Sequence, residues 1–161
     1  MLGEGIFETM VWRNGRVEAL RRHWLRLCEG AAELGLPAPT LEEMNAALAA
    51  VVEANPGCHR LRYTICRGIA DAVDVCAAAT PLTNWPAVER VTLVPWRRNA
   101  KGALAHIKSV SYLENVLTLR QAQEKGYGEG LLGNTSDQLC EGSGSNVFVV
   151  LNGRLLTPPL T

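Results

Sequence analysis

The chain has no excess of charge of either sign: Lys+Arg and Asp+Glu each number 16 among 161 residues. Without a net field nothing concentrates nucleic acid or an anionic membrane at the surface, so a polyanion-binding role is disfavoured, although Arg21, Arg22 and Arg26 form a local basic cluster. Paired cysteine spacing is also missing. Cys28, Cys58, Cys66, Cys76 and Cys140 include no C-x-x-C motif and are odd in number, which argues against a disulfide framework and a zinc site and suggests cytosolic thiols. No run approaches the roughly eighteen apolar residues that span a bilayer. The opening Met1-Leu2-Gly3-Glu4-Gly5 lacks the charged and apolar regions of a signal peptide. Gly3-Glu4-Gly5 precedes a strand and has no P-loop lysine, so it is given no nucleotide role. Repeats and low-complexity tracts are absent. These absences lead to the expectation of a soluble cytoplasmic protein with no nucleic-acid, membrane or metal partner. Its 47% hydrophobic, 20% charged composition is enough for one large or two small cores.

What is present reads as alternating strands and helices. Ile6 to Trp12 is β-prone, Asn14-Gly15 is a two-residue hairpin signal, and Arg16 to Leu20 supplies the return strand. From Arg22 the apolar positions Trp24, Leu27, Cys28, Ala31 and Leu34 recur at helical spacing until Gly35 and Pro37, with His23 and Arg26 near the first turn. Thr40 and Glu43 form a capping box for a second helix, Leu41 to Ala54. Strands are expected at Leu61 to Arg67 and Val75 to Ala79, then a Pro-rich linker at Thr80 to Pro86. Beyond it come a strand at Val88 to Pro95, a polar loop from Trp96 to Gly102, and a helix opened by Ser109 or Ser111 that runs to about Lys125. Strands at Gly130 to Asn134, Gln138 to Cys140, Asn146 to Leu151 and Arg154 to Thr157 complete the chain, with Asn152-Gly153 as a second hairpin turn.

Two charged residues in this frame suggest chemistry. Lys108 follows apolar Ile107 at the expected mouth of an apolar helix, where desolvation and the helix N-terminus both disfavour an ammonium and leave a nucleophilic amine. Such an amine can form a Schiff base with an aldehyde cofactor of the pyridoxal type, and a carboxylate can hold that cofactor's ring nitrogen protonated. Glu141 is the candidate carboxylate. It leads into Gly142-Ser143-Gly144-Ser145-Asn146, small and hydroxyl residues that let backbone approach a ligand closely. Taken alone, Lys108 reads as a surface lysine snorkelling from a helix end, and Glu141 reads equally as an exposed residue of a Gly/Ser turn. Arg26 offers a guanidinium fork that matches phosphate, or else lies solvated on a polar helix face.

Taken in order, Gly3-Glu4-Gly5-Ile6-Phe7-Glu8-Thr9, His23-x-x-Arg26-Leu27, Lys108 to Leu117 and Glu141 to Phe148 resemble the class IV aminotransferase family of pyridoxal-phosphate enzymes. The resemblance covers nearly the whole chain and includes Ala122-x-x-x-Gly126-Tyr127 and Leu155-Leu156-Thr157-Pro158-Pro159. It implies an α/β (α+β) fold: a small two-layer α/β domain over 1–82, then at 83–161 the first part of a larger pseudo-barrel domain that carries the cofactor lysine. It also implies pyridoxal 5′-phosphate as cofactor, a small-molecule amino substrate and a homodimer. Lys108 would be the Schiff-base lysine and acid-base group, Glu141 the pyridine-nitrogen partner and Arg26 the phosphate ligand. Tyr112 would meet the phenolic oxygen, Ser143 and Ser145 would belong to the cofactor site, and Phe7 would line the substrate pocket.

Among the branches of the family, Ser109-Val110-Ser111-Tyr112 departs from the Gly-Gly-Asn-Tyr run of branched-chain transaminases. Arg67-Gly68 is followed by Ile69-Ala70-Asp71-Ala72-Val73-Asp74, without the arginine and histidine that trap a carboxylate in D-amino-acid transaminases. Arg98-Asn99, Leu104-Ala105-His106-Ile107-Lys108 and Leu113-Glu114-Asn115-Val116-Leu117 look most like 4-amino-4-deoxychorismate lyases, which release pyruvate and 4-aminobenzoate. A transaminase is the runner-up. Members of the family run well beyond 161 residues, so the chain is expected to be a fragment, or a truncated non-catalytic remnant whose open strand edges favour association.

Overall fold

The computed structural model describes residues 3–159, the side chain of residue 71 aside; Met1, Leu2, Leu160 and Thr161, on which the reading of the chain ends rests, lie outside the described residues. Packing divides the chain into two units. One reaches to Asn84 and takes in His106–Ser111; the other holds Trp85–Ala105 and the chain from Tyr112 onward. Strands and helices are mixed in both, so the class is α/β.

The first unit contains β1 (Gly5–Arg13), β2 (Arg16–Val17), α1 (Leu20–Glu33), α2 (Leu41–Ala54), β3 (Arg60–Arg67) and β4 (Val73–Thr80). The strands form one antiparallel sheet in the order β2-β1-β3-β4. Asn14 and Gly15 both have positive φ, 53° and 74°, the turn that an Asn-Gly pair takes between twisted strands. The capping box on α2 is present in full, with Thr40 Oγ1 accepting from Glu43 N and Thr40 N donating to Glu43 Oε2. By contrast α1 starts two residues before Arg22, behind Ala19 in the left-handed region, so Arg26 stands in the second turn and not the first.

The register Ile6↔Ile65, Glu8↔Tyr63, Met10↔Leu61 puts these six residues on one sheet face, and Leu27, Ala31, Met44 and Leu48 of the two helices join them in a single core. Each large apolar side chain removed from water there contributes roughly 1.5–3 kcal/mol. The edge of β1 left open beyond β2 is filled by the returning chain. Phe7 N donates to Lys108 O (3.0 Å), Val110 N donates to Gly5 O (2.9 Å), and Ile6 bridges Ser109. This pairing holds Lys108 with the first unit.

The second unit contains β5 (Val91–Arg98), α3 (Leu113–Glu124), β6 (Glu129–Asn134), β7 (Leu139–Gly142), β8 (Val149–Leu151) and β9 (Arg154–Leu156). The strand β6 pairs parallel with β5 across the α3 crossover and antiparallel with β7, while β8 and β9 make a separate hairpin turned by Asn152-Gly153. Three expectations are corrected here. The strand expected to end at Pro95 continues to Arg98, because the register shifts between Leu93 and Arg97 and a bulge absorbs the missing N–H of proline. The helix expected from Ser109 or Ser111 begins at Leu113 behind Tyr112, since Ser109 is held in the bridge to Ile6 and the Ser111 hydroxyl donates to Gly3 O (3.1 Å). Nor is α3 an apolar helix buried on its leucines. Its buried residues are Asn115, Thr118 and Ala122, and Gly130 lets Thr118 sit against β6 where a Cβ would come within 2.8 Å of it.

Candidate functional site

Lys108 projects from the segment beside β1. Side chains alternate along a strand, so Phe7 faces away from the helix-covered core that takes Ile6 and Glu8. Lys108 Nζ lies 4.5 Å from the centroid of the Phe7 ring, and the Arg62 guanidinium lies 3.6 Å from the same centroid. Two cations thus share one buried aromatic ring, whose face attracts positive charge. Helix α3 begins at Leu113, beyond Lys108, so the lysine does not open that helix; its backbone pairs with β1 and its amine lies over Phe7.

Glu8 occupies the opposite face of β1. Its carboxylate is buried between Ile6 and Met10 of the same strand and takes both arms of Arg26, with Nε to Oε1 at 2.5 Å and Nη2 to Oε2 at 2.6 Å. His23 Nδ1 lies 2.7 Å from Oε2. Burial pushes the Glu8 carboxyl up, but the bonds from Arg26 and His23 outweigh it and hold the group below the usual carboxylate range. The hydrogen bond to Glu8 in turn raises Arg26 despite desolvation. Glu8 and Phe7, the partners of Arg26 and Lys108, are thus neighbours on β1 whose side chains leave it on opposite faces.

In the second unit the extension of β5 past Pro95 delivers Arg98, whose Nε donates to Glu141 Oε1 at 2.7 Å and whose Nη1 pairs with Glu114 of α3. Glu141 sits on β7 opposite Leu132, where the register shifts. The following loop is fixed by a residue that the sequence reading passed over. Glu129 Oε1 accepts from Ser143 N (3.0 Å) and Gly130 N (2.8 Å), and its Oε2 accepts from Ser145 Oγ (2.8 Å). Burial raises the Glu129 carboxyl, and these donors more than reverse it, leaving the group low. Asn115 Nδ2 holds the loop from the other side through Ser143 O at 2.7 Å. Tyr112 is half-buried at the start of α3.

The structure therefore brings Lys108 and Phe7 together in the first unit, and Glu141, Ser143 and Ser145 onto one strand and loop in the second. Sequence signals for the missed carboxylates exist. Glu8 interrupts an apolar strand at a core-facing position, and Glu129 stands between two glycines. The residues fit a group with an aldehyde, a phosphate and a pyridine nitrogen in the chemistry of their donors: a half-buried amine, a guanidinium whose Nη1 has no hydrogen-bond partner among the described residues, and a carboxylate with one oxygen taken by Arg98. Among the described residues no group of three or more His, Cys, Asp or Glu could hold a metal ion. No helix among them is long and apolar enough to cross a membrane.

Residues 5–161 match the class IV amino-transferase family. The bifunctional aminodeoxychorismate lyase / D-amino acid transaminase of Mycobacterium tuberculosis is 28% identical over 98% of the chain and 63% of its own length. The crystal structure of the Escherichia coli branched-chain amino acid aminotransferase superposes with a TM-score of 0.85 at 25% identity, covering 98% of this chain and 60% of that one. A pyridoxal-phosphate-bound hypothetical aminotransferase from Mycobacterium tuberculosis superposes with a TM-score of 0.81 at 26% identity, covering 99% and 62%. The chain spans 60% and 63% of the length of two curated relatives that it matches over nearly all of its own residues. With the motifs, the fold and these matches in agreement, the chain belongs to the class IV aminotransferase family.

Proposed function

We propose that this chain forms part of a pyridoxal-phosphate-dependent enzyme of the aminodeoxychorismate lyase type, acting on a small-molecule amino substrate. The observation that carries this reading is the Lys108 amine over the Phe7 ring, half-buried beside β1 in a chain of this family. When bound, pyridoxal phosphate supplies an aldehyde for amino groups and a ring that accepts the electron pair left by a departing α-proton. Lys108 would hold the aldehyde through Nζ and, once the substrate's amino group has displaced it there, the freed Nζ would carry the α-proton. Glu141, oriented by Arg98, would hold the proton on the ring nitrogen. Arg26 takes the phosphate, Tyr112 the phenolic oxygen, and the backbone at Ser143 and Ser145 lets the group approach closely. Phe7 lines the substrate side. A homodimer built from a small domain at 1–82 and a larger one from 83 is part of the same proposal.

Transamination is the second reading, supported by the double name of the Mycobacterium tuberculosis relative and by the match to the branched-chain enzyme. Mixing the chain with pyridoxal phosphate, reducing with borohydride and mapping the adduct by mass spectrometry tests the cofactor site. Labelling confined to Lys108 and abolished in Lys108→Ala is the expected result; scattered labelling would sink the reading. Release of pyruvate and 4-aminobenzoate, against transfer of the amino group to a keto acid, separates the two chemistries.

A further inference from the structure

We infer that Glu8 is a positioning residue for anion binding, gripping Arg26 by its side fork so that the end of the guanidinium faces a phosphate. The inference rests on the proposed phosphate role of Arg26. A guanidinium has five N–H donors in a fixed plane. Glu8 takes the Nε hydrogen and one Nη2 hydrogen, at 2.5 and 2.6 Å. His23 Nδ1, 2.7 Å from Glu8 Oε2 and 3.5 Å from Arg26 Nη2, must carry its hydrogen toward the carboxylate, which can only accept, and so takes nothing from Arg26. Among the described residues the two Nη1 hydrogens and the second Nη2 hydrogen remain, along the edge that matches two phosphate oxygens at once.

Burial gives the pair a direction. The Glu8 side chain is 1% exposed and that of Arg26 53%, so the carboxylate is locked inside the sheet layer while the guanidinium it holds reaches the surface. An apolar residue at position 8 would continue the row of Ile6 and Met10 with less desolvation, so packing alone does not call for a carboxylate there. A long arginine gripped beforehand loses less rotamer freedom when an anion arrives.

The test compares how tightly the chain binds pyridoxal phosphate and pyridoxal, read by tryptophan fluorescence, with inorganic phosphate as competitor. The wild-type chain should prefer the phosphorylated form and lose it to inorganic phosphate. Glu8→Gln and Arg26→Lys should each cut that preference by about tenfold or more, as expected for a charge-assisted bond, and approach Arg26→Ala. Arg26→Lys loses the fork toward the phosphate together with the one toward Glu8, so if Glu8→Gln fails to fold, Glu8→Asp, whose shorter carboxylate no longer spans Nε and Nη2, takes its place and should cut the preference likewise. The core variant Leu48→Ala should lower stability and leave the preference intact. Full preference in Glu8→Gln, or in Glu8→Asp in its place, with loss in Arg26→Ala, would overturn the inference and leave the phosphate role standing. A wild-type chain that does not distinguish the two compounds would overturn both.

Discussion

The two units are held together by different means. In the first, helices and sheet bury Ile6, Met10, Leu27, Met44, Leu48, Leu61 and Ile65 at 2% exposure or less in one continuous core. In the second, the buried apolar residues among those described are Val94, Ala122 and Leu132, while the β8–β9 hairpin leaves Val150 and Leu155 about 70% exposed. What orders the second unit is polar: Glu129 and Asn115 on the Ser143 loop, and Arg98 between Glu141 and Glu114. Apolar burial is non-directional and tolerates solution conditions, whereas charge-assisted bonds fix geometry and respond to pH. The unit that carries Glu141 should therefore depend on its polar bonds for order, whereas the unit that carries Lys108 keeps its apolar core and responds to pH through Glu8.

The largest way to break this contrast is to open the first core. Leu48→Ala removes a fully buried side chain between α2 and the sheet and should cost about 2–5 kcal/mol, measured by urea unfolding of the chain. Amide exchange should quicken most in β1 and β3. If exchange quickened equally in β6, the units would share one cooperative core and the contrast would fail.

Next in size is Glu129. Replacing it with Ala strands Ser143 N and Ser145 Oγ and should cost about 1–3 kcal/mol, with the Ser143 amide losing exchange protection. Its carboxyl is held low in the folded chain, so its contribution is present above the ordinary value near 4.5 and disappears as pH falls through the lower folded value. Glu8 has the same sign. Acid should therefore weaken both units below about pH 4.5, and Glu129→Gln should remove that dependence from the loop only. A loop as acid-sensitive in Glu129→Gln as in the parent chain would contradict the assignment.

How much of this was written locally in the sequence differs between the same two regions. Asn14-Gly15, Asn152-Gly153 and the Thr40–Glu43 box each specify their conformation within a few residues, and all three form. The boundaries that moved were set by distant partners. Ser109 looked like a helix cap but pairs with Ile6, and Pro95 looked like a strand end until the bulge against β6 carried β5 on to Arg98. The same holds for the site. Lys108, Glu141 and Arg26 were visible as residue types in order, but their partners Phe7, Arg98 and Glu8 come from other strands and appear only when the sheets form. Periodicity marks which face of an element is buried; it carries no information on which charge a buried carboxylate will meet.

The smallest effects provide the controls. Thr40→Ala removes one half of a capping box at the edge of the first unit and should cost about 1 kcal/mol. Arg97 Nε and Asp137 Oδ1 pair at 2.8 Å in the second unit, yet the aspartate side chain is 81% exposed, so solvent screening leaves the pair worth well under about 1 kcal/mol. Asp137 also has a φ of 57°, a conformation asparagine accepts as readily, so Asp137→Asn removes the charge without straining the turn. Urea midpoints should then shift for Thr40→Ala and stay unchanged for Asp137→Asn. A shift in Asp137→Asn comparable to that of Glu129→Ala would mean that exposed charge pairs, and not the buried acceptor, order the second unit.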